Sequence, residues 1–318
     1  MNSTTSGVTY LYDQYNNQTD QYQFDFGSAP ALNGSCYTTF GSRFLQHTNT
    51  TYLTTGSYVA ASTNLVGLPT ETKVYDSGGN LNSDVKYGYD TFSVSGYSSL
   101  TGYASMTGHD SGYSASGVAT RGNLTSVAQG LNTGGGGWLN SYLAYDIAGN
   151  VVATEDANSN VTKYSYTDNY SSYGGTPTYG HATSATNALS QTPFSAQYDY
   201  ASGQTVLSKD INKTATSYAY GTASYSMDRL IQVKQAVGTG AEAWKGYTYN
   251  SPIDIVTKQD QVTKGDGVIV NEQFWDGLGR ATTALADSGG IETDTTYDAL
   301  GRVATVTNPY QPVGGFTP

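Results

Sequence analysis

Charge is scarce in this 318-residue chain: Asp, Glu, Lys and Arg make up 12% of it, about half the ~25% of ordinary soluble domains. Lys and Arg together number 14 against 25 acidic residues, which leaves a net charge of −11. A chain this poor in cations cannot neutralise a phosphate backbone, and nucleic acid is excluded as a partner. Cys36 is the only cysteine, so a single chain can build neither a disulfide framework nor a cysteine zinc site. No run of 18 apolar residues occurs, and with it goes the transmembrane helix. The opening MNSTTSGVTY lacks the basic and apolar regions of a secretory leader, so no signal peptide is expected in this chain.

Glycine (38) and tyrosine (29) are abundant instead. Tyr and Thr suit a pleated, half-buried surface, and Gly suits the turns between strands. Low charge with much Gly and Ser also describes a flexible tract. Against that reading, aromatic residues form 13% of the chain and are spread along its length, each a large surface that folding can bury.

One phrase recurs: an aromatic residue, Asp, two free positions, Gly, then Arg or Asn. Its clean copies begin at Tyr75-Asp76 with Gly79, Tyr145-Asp146 with Gly149, Trp275-Asp276 with Gly279-Arg280, and Tyr297-Asp298 with Gly301-Arg302. Degraded copies lie between them. Tyr198-Asp199 reaches its glycine one place late at Gly203, Tyr249-Asn250 has Pro252 inside the turn, Tyr225 keeps only the ring and Arg229, and RGNLTSV from Arg121 preserves only a second half. Spacings of 21 to 26 residues, as from Tyr249 to Trp275 to Tyr297, indicate a repeat architecture.

The letters of one unit dictate its shape. Ile291, Thr293, Thr295 and Tyr297 alternate, as do Thr162, Tyr164 and Tyr166, and period two means strand. The aspartate accepts backbone N–H groups a few residues on, and the glycine takes the left-handed conformation that closes a short hairpin. Second corners are expected at DSGG (Asp287 to Gly290) and DANSN (Asp156 to Asn160). Val303 and Val306 sit three apart, as do Ala281 and Ala284, which a β-bulge or a strong twist there would reconcile. Units starting near 145, 166, 198, 225, 249, 275 and 297 give up to 14 strands from Tyr145 onward. A sheet beyond ~10 strands curls, so the expected fold is all-β, antiparallel hairpin repeats wound into a spiral or partial barrel-like shell. Tyr145, Trp275 and Tyr297 are expected to line up as an aromatic ladder.

These residues resemble the YD-repeat, or Rhs, family. YDALGRVATVTNPY (Tyr297 to Tyr310) and YDIAGNVVATEDANSNVTKYSYT (Tyr145 to Thr167) are close to its pattern. QFDFGSAP, NTTYLTTGSY and GLPTETKVYDSGGN, between Gln23 and Asn80, are similar to the segment that precedes such repeats. The resemblance divides the chain into an N-terminal β segment over 1–70, degenerate repeats over 71–140, and hairpin repeats over 141–318 cut short at the C-terminus. It implies a hollow β-shell of an exported or cell-surface bacterial protein, enclosing or presenting another domain such as a toxin. The partners it implies are the remainder of a larger chain or its enclosed domain.

Candidate chemical sites each meet a plainer reading. Asp156, Asn158 and Asn160 are spaced like calcium-loop ligands, but Val161 replaces the glycine and Thr167 the final Glu, so a hairpin turn is expected. NTGGGG (Asn132 to Gly137) is followed by Trp138 rather than Lys-Ser/Thr, and reads as a flexible loop. His47, His109 and His181 lie far apart, without ligand spacing. SASGV from Ser114 lacks the first glycine of a nucleophile elbow. The carboxylates recur with the repeat, whereas a glycosidase acid pair is singular. Asn-x-Ser/Thr triplets such as Asn49-Thr50-Thr51 arise by chance in this composition. The chain therefore reads as a non-enzymatic structural module without cofactor or metal. The alternative is an adhesin whose tyrosine rows stack on glycans.

Overall fold

The computed structural model describes residues 4–28, 44–117, 120–131, 136–172, 174–222, 224–286 and 290–311. Cys36, Asp287 of the expected DSGG corner, most of NTGGGG, the end of QFDFGSAP and the chain after residue 311 lie outside the described residues. The protein is all-β, with 20 strands and a few short turns of 3₁₀ helix among the described residues. Among the described residues no helix is long and apolar enough to cross a membrane. The chain divides into two compact units, one mainly of residues 1–165 and the other mainly of residues 190–318.

The first unit is a meander in which each strand pairs antiparallel with the next. Its strands are β1 (Thr4–Tyr12), β2 (Gln18–Ser28), β3 (Phe44–Tyr52), β4 (Pro69–Asp76), β5 (Leu81–Tyr89), β6 (Leu124–Gly130), β7 (Trp138–Tyr145), β8 (Val151–Glu155) and β9 (Val161–Ser165). The buried apolar residues here are Val94, Leu100, Ala144, Ile147, Val152 and Ala153. They gather where the long connection between β5 and β6 meets the turn after β7. The backbone of Thr101 bonds both ways there, donating to the Tyr145 carbonyl at 2.9 Å and accepting from the Ile147 N–H at 3.0 Å. Burying side chains of the size of Val94, Leu100 and Ile147 stabilises by ~1.5–3 kcal/mol each.

The second unit repeats the plan with β10 (Ser184–Thr186), β11 (Phe194–Tyr198), β12 (Thr205–Asp210), β13 (Ala215–Tyr220), β14 (Leu230–Gln235), β15 (Ala243–Ser251), β16 (Asp254–Gln259), β17 (Ile269–Trp275), β18 (Ala281–Ala286), β19 (Ile291–Tyr297) and β20 (Val303–Val306). Consecutive strands again pair antiparallel throughout. Its buried apolar residues among those described are few, namely Ala185, Ala196 and Val270. Most other strand residues are half-buried, the environment that Tyr and Thr tolerate on both faces of a sheet. From β7, which ends at Tyr145, to β20 there are 14 strands among the described residues, where the repeat spacing implies up to 14.

The expected bulge lies one residue beyond each corner. Tyr297 faces Val303 while Thr296 faces Thr305, so Ala304 is the extra residue. Thr282 is extra opposite the Phe274/Trp275 step, Val152 opposite Ala144/Tyr145, and Asn82 opposite Val74/Tyr75. This two-against-one pairing accounts for valines three apart in a strand that otherwise alternates.

Candidate functional site

The repeated phrase builds one turn. At the corner opening with Tyr297, the Asp298 N–H donates to the Arg302 carbonyl at 2.8 Å and the Gly301 N–H to the Asp298 carbonyl at 2.9 Å. Asp298 Oδ1 accepts the N–H groups of Leu300 and Arg302, both at 2.9 Å. Its Oδ2 accepts Arg302 Nε and Nη2, both at 2.8 Å. Gly301 holds φ +79°, and Gly279, Gly149 and Gly79 hold +77°, +88° and +80°, a region L-residues avoid.

Asp276 and Arg280 reproduce this pattern, with Nε 2.7 Å from Oδ2. At Asp76 and Asp146 the sixth residue is Asn80 or Asn150, whose amide replaces the guanidinium at 3.0 and 2.9 Å. The aspartate charge thus neutralises the N–H cluster of its own turn. The carboxyls of Asp276 and Asp298 are held below the usual range by the backbone N–H and then the guanidinium of the following arginine. At Asp76 the Asn80 amide is the largest cause, followed by the Asn80 N–H. Asp199 bonds Ser202 twice instead, and Gly203 at φ +70° closes a corner one residue longer.

Other corners carry the geometry without the letters. Asp156 accepts from the N–H groups of Asn158 and Asn160, both at 2.9 Å, with Ser159 at φ 63°. With Asn160 Nδ2 on its other oxygen at 2.9 Å, this carboxylate closes a turn, as expected of DANSN. Asp13 does the same with Tyr15 and Asn17, Asn16 taking φ 66°, and Asp210 with Asn212 and Thr214, Lys213 taking φ 65°. Tyr12-Asp13 was readable as a start, but asparagine stands in the glycine place.

One corner is split. Asp90 follows Tyr89, and its carboxylate accepts the N–H groups of Arg121, Gly122 and Asn123 at 2.9, 2.8 and 3.1 Å. RGNLTSV is therefore the second half of a corner whose first half stands some 30 residues earlier. Arg121 reaches on to the Ile147 carbonyl at 2.7 Å and to the Tyr113 and Ser114 carbonyls. The long connection also meets the next corner through Tyr103, whose hydroxyl donates to the fully buried Asp146 at 2.9 Å.

The ring that opens each corner has its own partner. Tyr145 donates its hydroxyl to the Leu124 carbonyl at 2.8 Å, and Leu124 opens β6. Tyr52 reaches Gln18, Tyr89 Pro69, Tyr198 Ala182, Tyr220 Thr205, Tyr249 Leu230 and Tyr297 Ala281, at 2.7 to 3.1 Å. Each acceptor lies at or just before the start of an earlier strand. Trp275 occupies the same place without a hydroxyl, and its backbone N–H donates to the Ile253 carbonyl at 2.9 Å. Tyr75 instead stacks on His47 at 5.6 Å.

The expected aromatic ladder is thus a series of hydroxyl bolts from ring to backbone. The Tyr297 ring is covered by a cation, the guanidinium of Arg280. The structure places Tyr220 rather than Tyr225 at the ring position of its unit. Tyr225 is exposed on the turn Ser224–Ser226. Tyr166 directly follows β9.

Among the described residues no three metal-ligating side chains converge. His47 bonds Asp20 at 2.8 Å and stacks on Tyr22, while His181 stacks on Tyr198. An open groove of about 590 Å³ is lined by Ser190, Gln191, Lys209, Asp210, Asn212 and Lys213. Its one carboxylate is a corner aspartate already bonded to its own turn. A carboxyl pair missed in the sequence, Asp254 with Glu272, stands between β16 and β17.

No family model matches this chain, and no curated protein matches it. Solved structures overlap it: TcdB2-TccC3 at 14% identity over 97% of this chain, with a TM-score of 0.47. TcdB2-TccC3 without its hypervariable C-terminal region overlaps at 12% over 98%, TM-score 0.46. The Photorhabdus luminescens Tc holotoxin pore overlaps at 15% over 95%, TM-score 0.44. The chain spans less than a fifth of each of these matched chains. At such TM-scores the overlap transfers neither fold nor function.

Proposed function

We propose that the chain is a non-enzymatic structural module of the YD-repeat type, part of a β-shell that encloses or presents another domain outside the cell. One observation carries the reading. In both units the ionisable groups that recur are bonded to the backbone of their own turns, and the corner tyrosines to an earlier strand. Groups engaged in this way hold hairpins together and are not free to turn over a substrate.

Electron microscopy of the complete gene product tests it. A hollow wall of hairpins around or beside a second domain is the expected image. A compact particle without a lumen, or turnover of ester or glycoside substrates that is lost on changing one cluster, overturns the reading. Specific retention of one sugar on a glycan panel favours the adhesin.

A further inference from the structure

In the second unit two carboxyls, those of Asp254 and Glu272, meet across β16 and β17. Asp254 opens β16 and Glu272 lies in β17. Val256 faces Glu272 and Asp254 faces Phe274, so the two acids lie diagonally on one face of the sheet. Glu272 is only 9% exposed. The Asp254 carboxylate is close enough to Glu272 to raise its carboxyl. The Asn250 amide donates to Asp254 Oδ2 at 3.1 Å and to Glu272 Oε1 at 3.4 Å. Asp254 Oδ1 is buried and has no hydrogen-bond partner among the described residues.

The surroundings add no compensating cation. On β18 the residues sharing this face, Thr283 and Leu285, are uncharged. On β19 the face continues with Glu292 and Asp294. Asp294 accepts hydrogen bonds from Thr283 Oγ1 and the Tyr310 hydroxyl. On β15 Ser251 faces Asp254 and the Asn250 amide bonds both acids, with Lys245 at the far end opposite Gln259. Lys258 shares the face on β16 but lies opposite Val270. The ion pairs of the described residues include none of these four acids. Two ionised carboxylates in contact, without a cation, repel each other, and one shared proton removes the conflict.

We propose that Asp254 and Glu272 are a proton-sharing pair that ties β16 to β17 in mildly acidic solution and loosens this hairpin when the proton leaves. In the closed form the Glu272 O–H donates to the Asp254 carboxylate. At higher pH the proton passes to solvent and two negative charges face each other. Burial first, and then the Asp254 carboxylate, push the Glu272 carboxyl up to about 7. Its folded value lies above its unfolded one, so the contribution to stability is complete below the ordinary carboxylate range. It is lost as pH rises toward 7.

Carboxyl-resolved NMR of the glutamates tests the pair, together with amide-exchange protection of Ile255, Val256 and Glu272 at pH 5.5 and pH 8.5. One glutamate titrating near neutrality is expected, with protection falling at least tenfold relative to intrinsic exchange between the two pH values. Glu272→Gln, which keeps a donor toward Asp254, should hold protection constant. All glutamates titrating in the ordinary range, or an equal loss of protection in Glu272→Gln, overturns the proposal. Should that variant fail to fold, the wild-type titration and Asp254→Asn decide: with Asp254 neutral, the Glu272 value must fall back toward its ordinary range.

Discussion

The guanidinium carbon of Arg280 lies 4.4 Å from the centre of the Tyr297 ring, so the last residue of one corner covers the first residue of the next. The same arginine grips Asp276 through Nε and Nη2 at 2.7 and 2.6 Å. Charge neutralisation within a turn and contact between turns therefore run through one side chain. Lysine could not do both, because its single ammonium lacks the planar fork that pairs with a carboxylate and stacks on a ring. Arg280→Lys is expected to lower stability by ~1 kcal/mol in urea titrations.

Removing the hydroxyl of Tyr145 separates the bolt from the ring. Tyr145→Phe leaves the packing and orphans the Leu124 carbonyl, at an expected cost of ~1 kcal/mol by denaturant unfolding. Trp275, which lacks a hydroxyl, supplies the comparison. Trp275→Phe should shift the transition only through lost ring area.

Lys213 adopts φ 65° and Gly279 φ +77° at equivalent places in their turns. Lys213→Gly should gain ~0.5–1 kcal/mol by relieving left-handed strain. Nothing lies within 4 Å of a Cβ built on Gly279. Gly279→Ala should therefore lose ~1–2 kcal/mol through backbone conformation alone. Paired thermal melts check both signs.

Asp90 closes a split corner and Asp298 a continuous one. Truncating Asp298 releases two N–H groups at an exposed tip and should be the milder change. Truncating Asp90 releases three N–H groups and unties the connection between β5 and β6, costing ~2–3 kcal/mol. Limited proteolysis of Asp90→Ala should cut between β5 and β6 before any other site.

The corner carboxyls set an acid limit. Those of Asp76, Asp276 and Asp298 lie below their ordinary value when folded. A depressed folded value gives stability that is complete above the unfolded value of about 3.8 and is lost as pH falls through the folded one. Melting temperature should hold from neutral pH down to about 4 as far as these groups decide it, then drop. Asp298→Asn should remove part of that drop.

Much of the architecture was legible because the turn chemistry is local. The bonds that close the corners of Asp76, Asp146, Asp276 and Asp298 reach residues two to four places on, so the phrase contains its own geometry. Strand alternation and the bulge at Ala304 followed from the same short range. What stayed hidden depends on distance. Asp90 meets Arg121 across an insertion, and Tyr145 meets Leu124 21 residues back. Tyr220 is followed by Gly221 rather than Asp, whereas Tyr225 has Arg229 four residues on. The Asp254 and Glu272 pair depends on strand register, which puts residues 18 apart on one face; composition says nothing of it.

The corner tyrosines share a direction. In every hydroxyl bolt described, from Tyr52 to Tyr297, the accepting carbonyl precedes its donor in the chain. A ribosome therefore delivers each anchor point before the side chain that fastens to it, and assembly can follow synthesis row by row without waiting for the C-terminus.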